Sequence, residues 1–368
     1  MATGSDSDLD ATDNHGDTDV DGHGDTDVDG HGDTDVDGHG DTDVDGHGDT
    51  DVDDSEVLAD PEREFLDAIR AAESLSDLQR VVGSDSEDSA YLRAKPQWKT
   101  LRERELAVEE FQQADGLAGT CVVVDGQEIY VHGVTHADTD EEREFLRERV
   151  LTYVNAGEAV YCEQGIRPMY FQDIEAVCEI DDYQWAMHRC RERDIDSHIE
   201  EHLECGVDDN GSLAGMLDEV ASRFRGATFS LIKSGSDVYG DRFASALGDV
   251  ASDFLRTHGD LATGDDFASF QKSSRAARNP EELASLQWYY STVFLPQPLE
   301  REWLKKHDPE LELFTHARNE RIAAYVLYYA STDVPVHIIT GAAHQPGIVY
   351  YLQAYGDDEW TFEPFETF

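Results

Sequence analysis

Beyond residue 55 the apolar positions recur with two distinct periods. Phe65, Leu66, Ile69 and Ala72 fall at helical spacing behind Asp60 and Pro61, which read as an N-cap followed by proline at the first helical position. After a polar break at Gly83–Ser89, a second amphipathic stretch runs from Trp98 to Phe111. The period then becomes that of a strand. Thr120–Val124 is β-branched and apolar, Asp125-Gly126 is a hairpin-type turn, and Glu128–Val134 returns as a second strand. Thr139-Asp-Glu-Glu142 reads as a capping box opening a helix through Val154, with Phe145, Leu146, Val150 and Val154 facing inward. Ala159–Cys162 is a short strand, and a long helical region fills much of 173–330, with breaks near Gly206–Gly211 and Gly226. Val334–Thr340 reads as a buried strand, and Gly347–Tyr355 begins another helix. Strand–helix alternation at both ends around inserted helices is an α/β pattern. The chain is therefore expected to form a central β-sheet with a large helical insertion over 115–368, preceded by a helical annex over 55–114.

Residues 1–54 follow neither period. HGDTDVDG repeats every eight residues from His15, His23, His31 and His39, and a fifth copy from His47 breaks at Asp54. The only apolar residue of each repeat is a single Val, too little buried surface to offset the entropy of ordering, so a disordered acidic tail is expected. Asp17, Asp19, Asp21, Gly22 and Asp25 match positions of a calcium loop, and the repeat resembles aspartate-rich calcium repeats. Its twelfth position is Val28 rather than a bidentate Glu, so a solvated tail is preferred to calcium sites. The regular His residues are also expected to capture transition metals loosely.

Charge narrows the partners. The chain has 81 Asp+Glu against 28 Lys+Arg, a formal charge of −53. The tail carries twenty Asp and no base, which leaves 61 acids and 28 bases in the remaining 314 residues. Such a surface repels phosphate backbones and anionic lipid, arguing against nucleic acid or membrane surfaces as partners. At molar salt the Debye length falls to about 3 Å and self-repulsion fades. With six Lys among the bases and Asp abundant, the composition reads as halophilic, a protein of a salt-loaded cytoplasm. No run approaches the roughly 18–20 apolar residues of a membrane span, and MATGSDSDLD has neither the basic nor the apolar region of a signal peptide. Five Cys without a CxxC pair give no disulfide framework or zinc knuckle.

The candidate chemistry lies in a repeated corner. Gly133-Val-Thr-His136 follows the strand ending at Val131, and Gly341-Ala-Ala-His344 follows the strand ending at Thr340. Ligand sites in α/β sheets lie beyond the carboxyl ends of strands, so two such corners can bring two imidazoles to one crevice. Glu163 ends a third strand behind apolar residues, where an unpaired carboxylate is costly and calls for a partner or a role.

These residues carry a resemblance. Gly133–His136 and Gly341–His344, with Val160-Tyr-Cys-Glu163 between them, the helix containing Arg318-Asn319, and Gly347-Ile348 together resemble the TraB/Tiki family. The likeness covers about 119–355. It implies a cleft containing the two His, Glu163, Arg318 and Asn319, and, for the Tiki branch, a divalent-metal hydrolase acting on peptide bonds. Many relatives have an Arg five residues after the Glu; here Arg167 stands four after Glu163 and is not carried over. The implied metal is Mn, Co, Zn or Fe on His136, His344 and Glu163, lowering the pKa of a bound water toward 7. Glu163 serves as ligand or as general base. Arg318 stabilises an oxyanion, grips a substrate carboxylate, or pairs with Glu163. Asn319 ligates or orients. In a metal-free version, His136 is the base and Glu163 its orienter. Gly133 and Gly341 contact substrate or supply the backbone turns.

Other strings are weaker. His198-Ile-Glu-Glu201-His202 matches the HxxEH zinc signature, but on a highly charged stretch. His132 reads as structural, and Trp288, Tyr289, Tyr290, Phe294 and Trp303 as helix–helix core. The expected function is a metal-dependent hydrolase of peptide or other acyl bonds with a peptide or protein substrate. The alternative is a non-catalytic regulator that binds a peptide signal or a protein partner.

Overall fold

Asp125 and Gly126 both take positive φ, 50° and 86°, the backbone of a primed two-residue turn. The turn joins β1 (Thr120–Val124) to β2 (Gln127–Val134) in antiparallel register, with Val124 opposite Gln127. In the computed structural model, which describes residues 58–106, 116–195, 268–331 and 333–362, this hairpin is one edge of a five-stranded sheet ordered β1-β2-β5-β3-β4. β3 (Ala159–Glu163), β4 (Val177–Ile180) and β5 (Val336–Gly341) run parallel to β2. The α/β expectation thus meets a mixed sheet. β4 falls inside the stretch read as helical: four residues are too few to set a period, and its register against β3, Val160 opposite Val177, supplies what the pattern lacked.

The annex contains α1 (Asp60–Arg70), α2 (Leu75–Val82) and α3 (Glu87–Glu105). The first N-cap is Ala59 rather than Asp60, because Glu62 reaches back and accepts the Ala59 N–H at 2.8 Å. Ser86 caps α3, so the helix starts at Glu87 and runs through Pro96 instead of beginning at Trp98. The three helices share a core with later ones. Leu66, Leu78 and Tyr91 pack with Leu311 and with Trp303, whose ring stacks on Tyr91 at 4.3 Å.

The sheet is covered on both faces. α4 (Asp140–Ala156), α5 (Ile166–Tyr170), α7 (Ala268–Arg278) and α8 (Leu283–Val293) are the neighbours of one apolar cluster, centred on Val150, Tyr290 and Ile339. Ile338, adjacent in sequence, points to the opposite cluster with Val131, Ile322 and Tyr351. That second face is covered by α11 (His316–Tyr329) and α12 (Gln345–Gly356). α6 (Asp182–Glu192), α9 (Gln297–His307) and α10 (Pro309–Phe314) pack with the annex helices in their shared core. Tyr290 and Trp303 are fully buried, consistent with the core reading of the aromatic group. No helix among the described residues is long and apolar enough to cross a membrane. The octapeptide repeat, with its calcium reading, and His198–His202 lie outside the described residues.

Candidate functional site

The register of β2 against β5 aligns the two corners. Gly133 is opposite Thr340 and Val134 opposite Gly341. β3 flanks β5 on its other side and ends at Glu163. Three strand ends therefore deliver His136, His344 and Glu163 to one place at the carboxyl edge of the sheet.

His136 occupies left-handed backbone, φ 59°, a costly conformation for a residue with a Cβ. Glu142 holds it there. The buried Glu142 carboxylate accepts the Thr135 N–H and hydroxyl, each at 2.8 Å, the Ala137 N–H at 3.3 Å, and the Tyr170 hydroxyl at 2.7 Å. Tyr170 in turn accepts the Asp138 N–H at 2.8 Å. The expected capping box is thus half formed. Thr139 does accept the Glu142 N–H at 3.2 Å, but the Glu142 side chain anchors the His136 loop instead of returning to Thr139.

His344 precedes α12 and donates its own N–H to the Gly341 carbonyl at 2.8 Å. Asn319 Nδ2 donates to Gln297 Oε1 at 3.1 Å, which leaves Asn319 Oδ1 to accept from His344 Nδ1–H at 2.7 Å. Burial pushes the His344 imidazole down to about 3, so Nε2 carries a lone pair at neutral pH. Nε2 stands 3.6 Å from Glu163 Oε1.

Glu163 is buried and heavily bonded. Oε1 accepts from Arg318 Nη2 at 2.6 Å. Oε2 accepts the Thr340 hydroxyl at 2.9 Å and the Gly341 N–H at 2.8 Å, with His136 Nε2 at 3.4 Å. Burial alone raises its pKa, but the Arg318 guanidinium and the hydrogen bond from His136 outweigh it and hold the carboxyl well below the ordinary range. Arg318 lies beneath. Its Nε donates to Asp182 at 2.6 Å, Nη2 also pairs with Asp182, Nη1 reaches the Phe314 carbonyl at 3.2 Å, and the guanidinium sits 3.9 Å from the Tyr183 ring centroid. Asp182, desolvated, is pushed up to about 6 against the pull of Arg318. The mouth of the cluster is His136, whose side chain is 30% exposed, whereas Glu163 and Arg318 are buried.

All five side chains singled out by the corners and the Arg-Asn helix therefore meet. Asp182, Tyr183, Thr340, Glu142 and Gln297 complete the arrangement and were not read from the sequence. An acid opening a helix and a Thr ending a strand carry no local signal of what they pair with. Gly133 and Gly341 need to be glycine for space and not for turning, since neither has positive φ. A Cβ on Gly341 would stand 2.8 Å from His136 Nε2, and one on Gly133 2.8 Å from the Ala342 Cα. His132 is buried, between the Ala118 carbonyl at 3.0 Å and His337 Nδ1 at 2.9 Å, away from this cluster.

Two imidazoles and a carboxylate suit a divalent transition metal in donor chemistry. Two donors about 2.1 Å from one ion at a tetrahedral angle lie about 3.4 Å apart, close to the 3.4 and 3.6 Å that separate the imidazoles from Glu163. The imidazoles address different oxygens of the carboxylate, and among the described residues no three His, Cys, Asp or Glu side chains converge as a metal-holding group. Comparison with protein-family models gives no match for this chain, and no curated protein matches it.

Proposed function

We propose that His136, His344 and Glu163 form the reactive cluster of a metal-dependent hydrolase of acyl bonds, peptide bonds included. The observation that carries the reading is the convergence of two imidazoles on one buried carboxylate: His136 Nε2 stands 3.4 Å from Glu163 Oε2, and His344 Nε2, its ring oriented by Asn319, stands 3.6 Å from Oε1. Imidazole nitrogens and a carboxylate are a donor set that suits divalent transition metals. His136 and His344 are the residues that would hold a Mn, Co, Zn or Fe ion, with Glu163 beside it. Bound there, the metal supplies an acidified water and polarises a carbonyl.

The chain's own residues do the rest. Glu163, kept ionised and anchored by Arg318, Thr340 and the Gly341 N–H, is too weak a base to take a proton and instead holds negative charge 3.4 Å from His136 Nε2 at the mouth. Asn319 and Gln297 fix the His344 ring. Arg318 is spent on Glu163 and Asp182, so it positions Glu163 and leaves the oxyanion to other groups. The resemblance to the TraB/Tiki family, carried by the two GxxH corners, supports the same class of activity.

A second reading is a binding module without turnover, and the saturation of Glu163 by Arg318, Thr340 and Gly341 favours it. Turnover separates the two. The full chain in molar KCl, supplied with each metal and a mixture of fluorogenic peptides and esters, is expected to hydrolyse at least one substrate, and His136→Ala to abolish this while leaving the circular dichroism unchanged. Turnover that survives His136→Ala removes the proposal.

A further inference from the structure

His132 and His337 form a string with Glu158 on the face of the sheet covered by α4. His132 Nδ1 lies 3.0 Å from the Ala118 carbonyl, His132 Nε2 lies 2.9 Å from His337 Nδ1, and His337 Nε2 lies 3.0 Å from Glu158 Oε2. Both imidazoles are buried and the Glu158 side chain is 26% exposed, so the string runs from the surface inward. Tyr153 stacks on the His337 ring at 3.7 Å and Tyr130 lies parallel to it at 5.1 Å, which fixes its plane.

The protons of this string can be counted, since each of its three contacts needs one. The Ala118 carbonyl has none to give, so His132 Nδ1 donates to it, and in a neutral ring His132 Nε2 is then an acceptor. His337 Nδ1 must donate there, which leaves a lone pair on His337 Nε2 facing Glu158. An ionised carboxylate is also an acceptor, so the last contact closes only with one further proton. Reversing both tautomers lets His337 Nε2–H donate to Glu158 but turns the His132 Nδ1 lone pair on the Ala118 carbonyl. The mismatch moves and does not vanish. Burial holds both rings neutral, His132 down to about 3 and His337 to about 4, so the further proton belongs at the Glu158 end.

The inner end of the string reaches the first GxxH corner. His132 precedes Gly133, and the Ala118 carbonyl also accepts from Gln287 Nε2 at 2.9 Å, which donates in turn to the Gly133 carbonyl at 2.9 Å. We propose that Glu158, His337 and His132 form a proton-gated latch on the Gly133–His136 corner. One proton between Glu158 Oε2 and His337 Nε2 completes the string; its loss to water sets two acceptors against each other and loosens the corner. The other titratable groups around the string are Tyr153 and Arg149 on α4, Tyr130 and Glu128 on β2, and Cys121 on β1. Burial pushes both phenols and the thiol up, Tyr130 to about 12, so these three keep their protons below pH 8. Control of turnover by the latch rests on the hydrolytic reading; the proton itself does not.

The test is urea unfolding of the full chain and of Glu158→Gln in molar KCl from pH 5 to 8. The Gln NH2 donates to His337 Nε2 as a protonated carboxyl does, and it does not titrate. In the unfolded chain a carboxyl ionises near its ordinary value of about 4.3. A fold that keeps this proton therefore unfolds up to about tenfold more readily, relative to Glu158→Gln, for each unit of pH rise until the proton leaves. The expected result is a ratio of wild-type to variant unfolding constants that rises about tenfold or more across the range. In the His337→Phe background, which lacks the acceptor, Glu158→Gln is expected to give a ratio independent of pH. A wild-type ratio that does not rise, or a rise that survives His337→Phe, overturns the proposal. Since unfolding is read without turnover, a chain that hydrolyses nothing yet shows the rise keeps the latch and loses the hydrolytic reading.

Discussion

Val134 and Gly341 are register partners on adjacent parallel strands, and this pairing sets His136 and His344 over the two oxygens of one carboxylate. The approach is so close that position 341 has room for hydrogen alone. In Gly341→Ala the new methyl meets His136 Nε2, at the tip of a half-exposed ring, so the ring moves and the fold survives. The expected cost in stability is about 1–3 kcal/mol, with turnover lost. Chemical denaturation and the fluorogenic assay read the two effects; an alanine variant with wild-type turnover contradicts the geometry.

Arg318 bridges two buried carboxylates, and its planar fork serves both. Arg318→Met leaves Glu163 and Asp182 without their counter-charge and is expected to cost about 3–5 kcal/mol. Arg318→Lys restores the charge and not the fork, so it is expected to recover less than half of the loss. Full recovery in urea unfolding would show that charge alone matters.

The Glu142 clamp is separable from the chemistry. Glu142→Gln turns an amide NH2 toward groups that themselves donate, the Thr135 and Ala137 amides and the Tyr170 hydroxyl. The expected loss is about 1–3 kcal/mol, with faster hydrogen exchange at Ala137 and Asp138 and reduced turnover. Unchanged exchange at those two amides would show that the His136 loop is held by something else.

Stability is expected to fall as pH drops below 6.5. Burial holds His132 and His344 down to about 3 and His316 to about 4. Their unfolded value is near 6.5, so their contribution is complete above that pH and is lost below it, at roughly 1.4 kcal/mol per pH unit for each. Asp182 acts in the opposite sense. Raised to about 6 from an ordinary 3.8, it destabilises the fold above pH 6, and that penalty fades as pH falls from 6 to 3.8. With His337, also held down to about 4, the buried histidines outweigh the raised carboxyls of Asp182, Glu179 and Asp181. Denaturation midpoints in molar KCl that stay constant from pH 7 to 5 would contradict this balance.

Much of the architecture is legible in the sequence because its signals are local. The Asp125-Gly126 turn, the β-branched run of β1 and the Gly-ended strands each reside within a few residues. The GxxH corners are legible for the same reason, and their repetition pointed to a shared crevice. What escapes local reading depends on distant partners. β4 is a strand because β3 pairs with it. Glu142 looks like a capping residue until the loop ahead of it folds back. Asp182 is an acid at a helix start until Arg318, more than a hundred residues away, reaches it. Arg318 itself offered three roles in sequence, and its depth below Glu163 selects the ion pair.

The most direct test is equilibrium dialysis of the full chain against Mn²⁺ in molar KCl, beside the His136→Ala, His344→Ala double variant. The acidic repeat is present in both, so its loose sites cancel in the difference. The account predicts about one ion more per wild-type chain. Equal binding by the two chains contradicts a metal between these imidazoles and leaves the binding-module reading in its place.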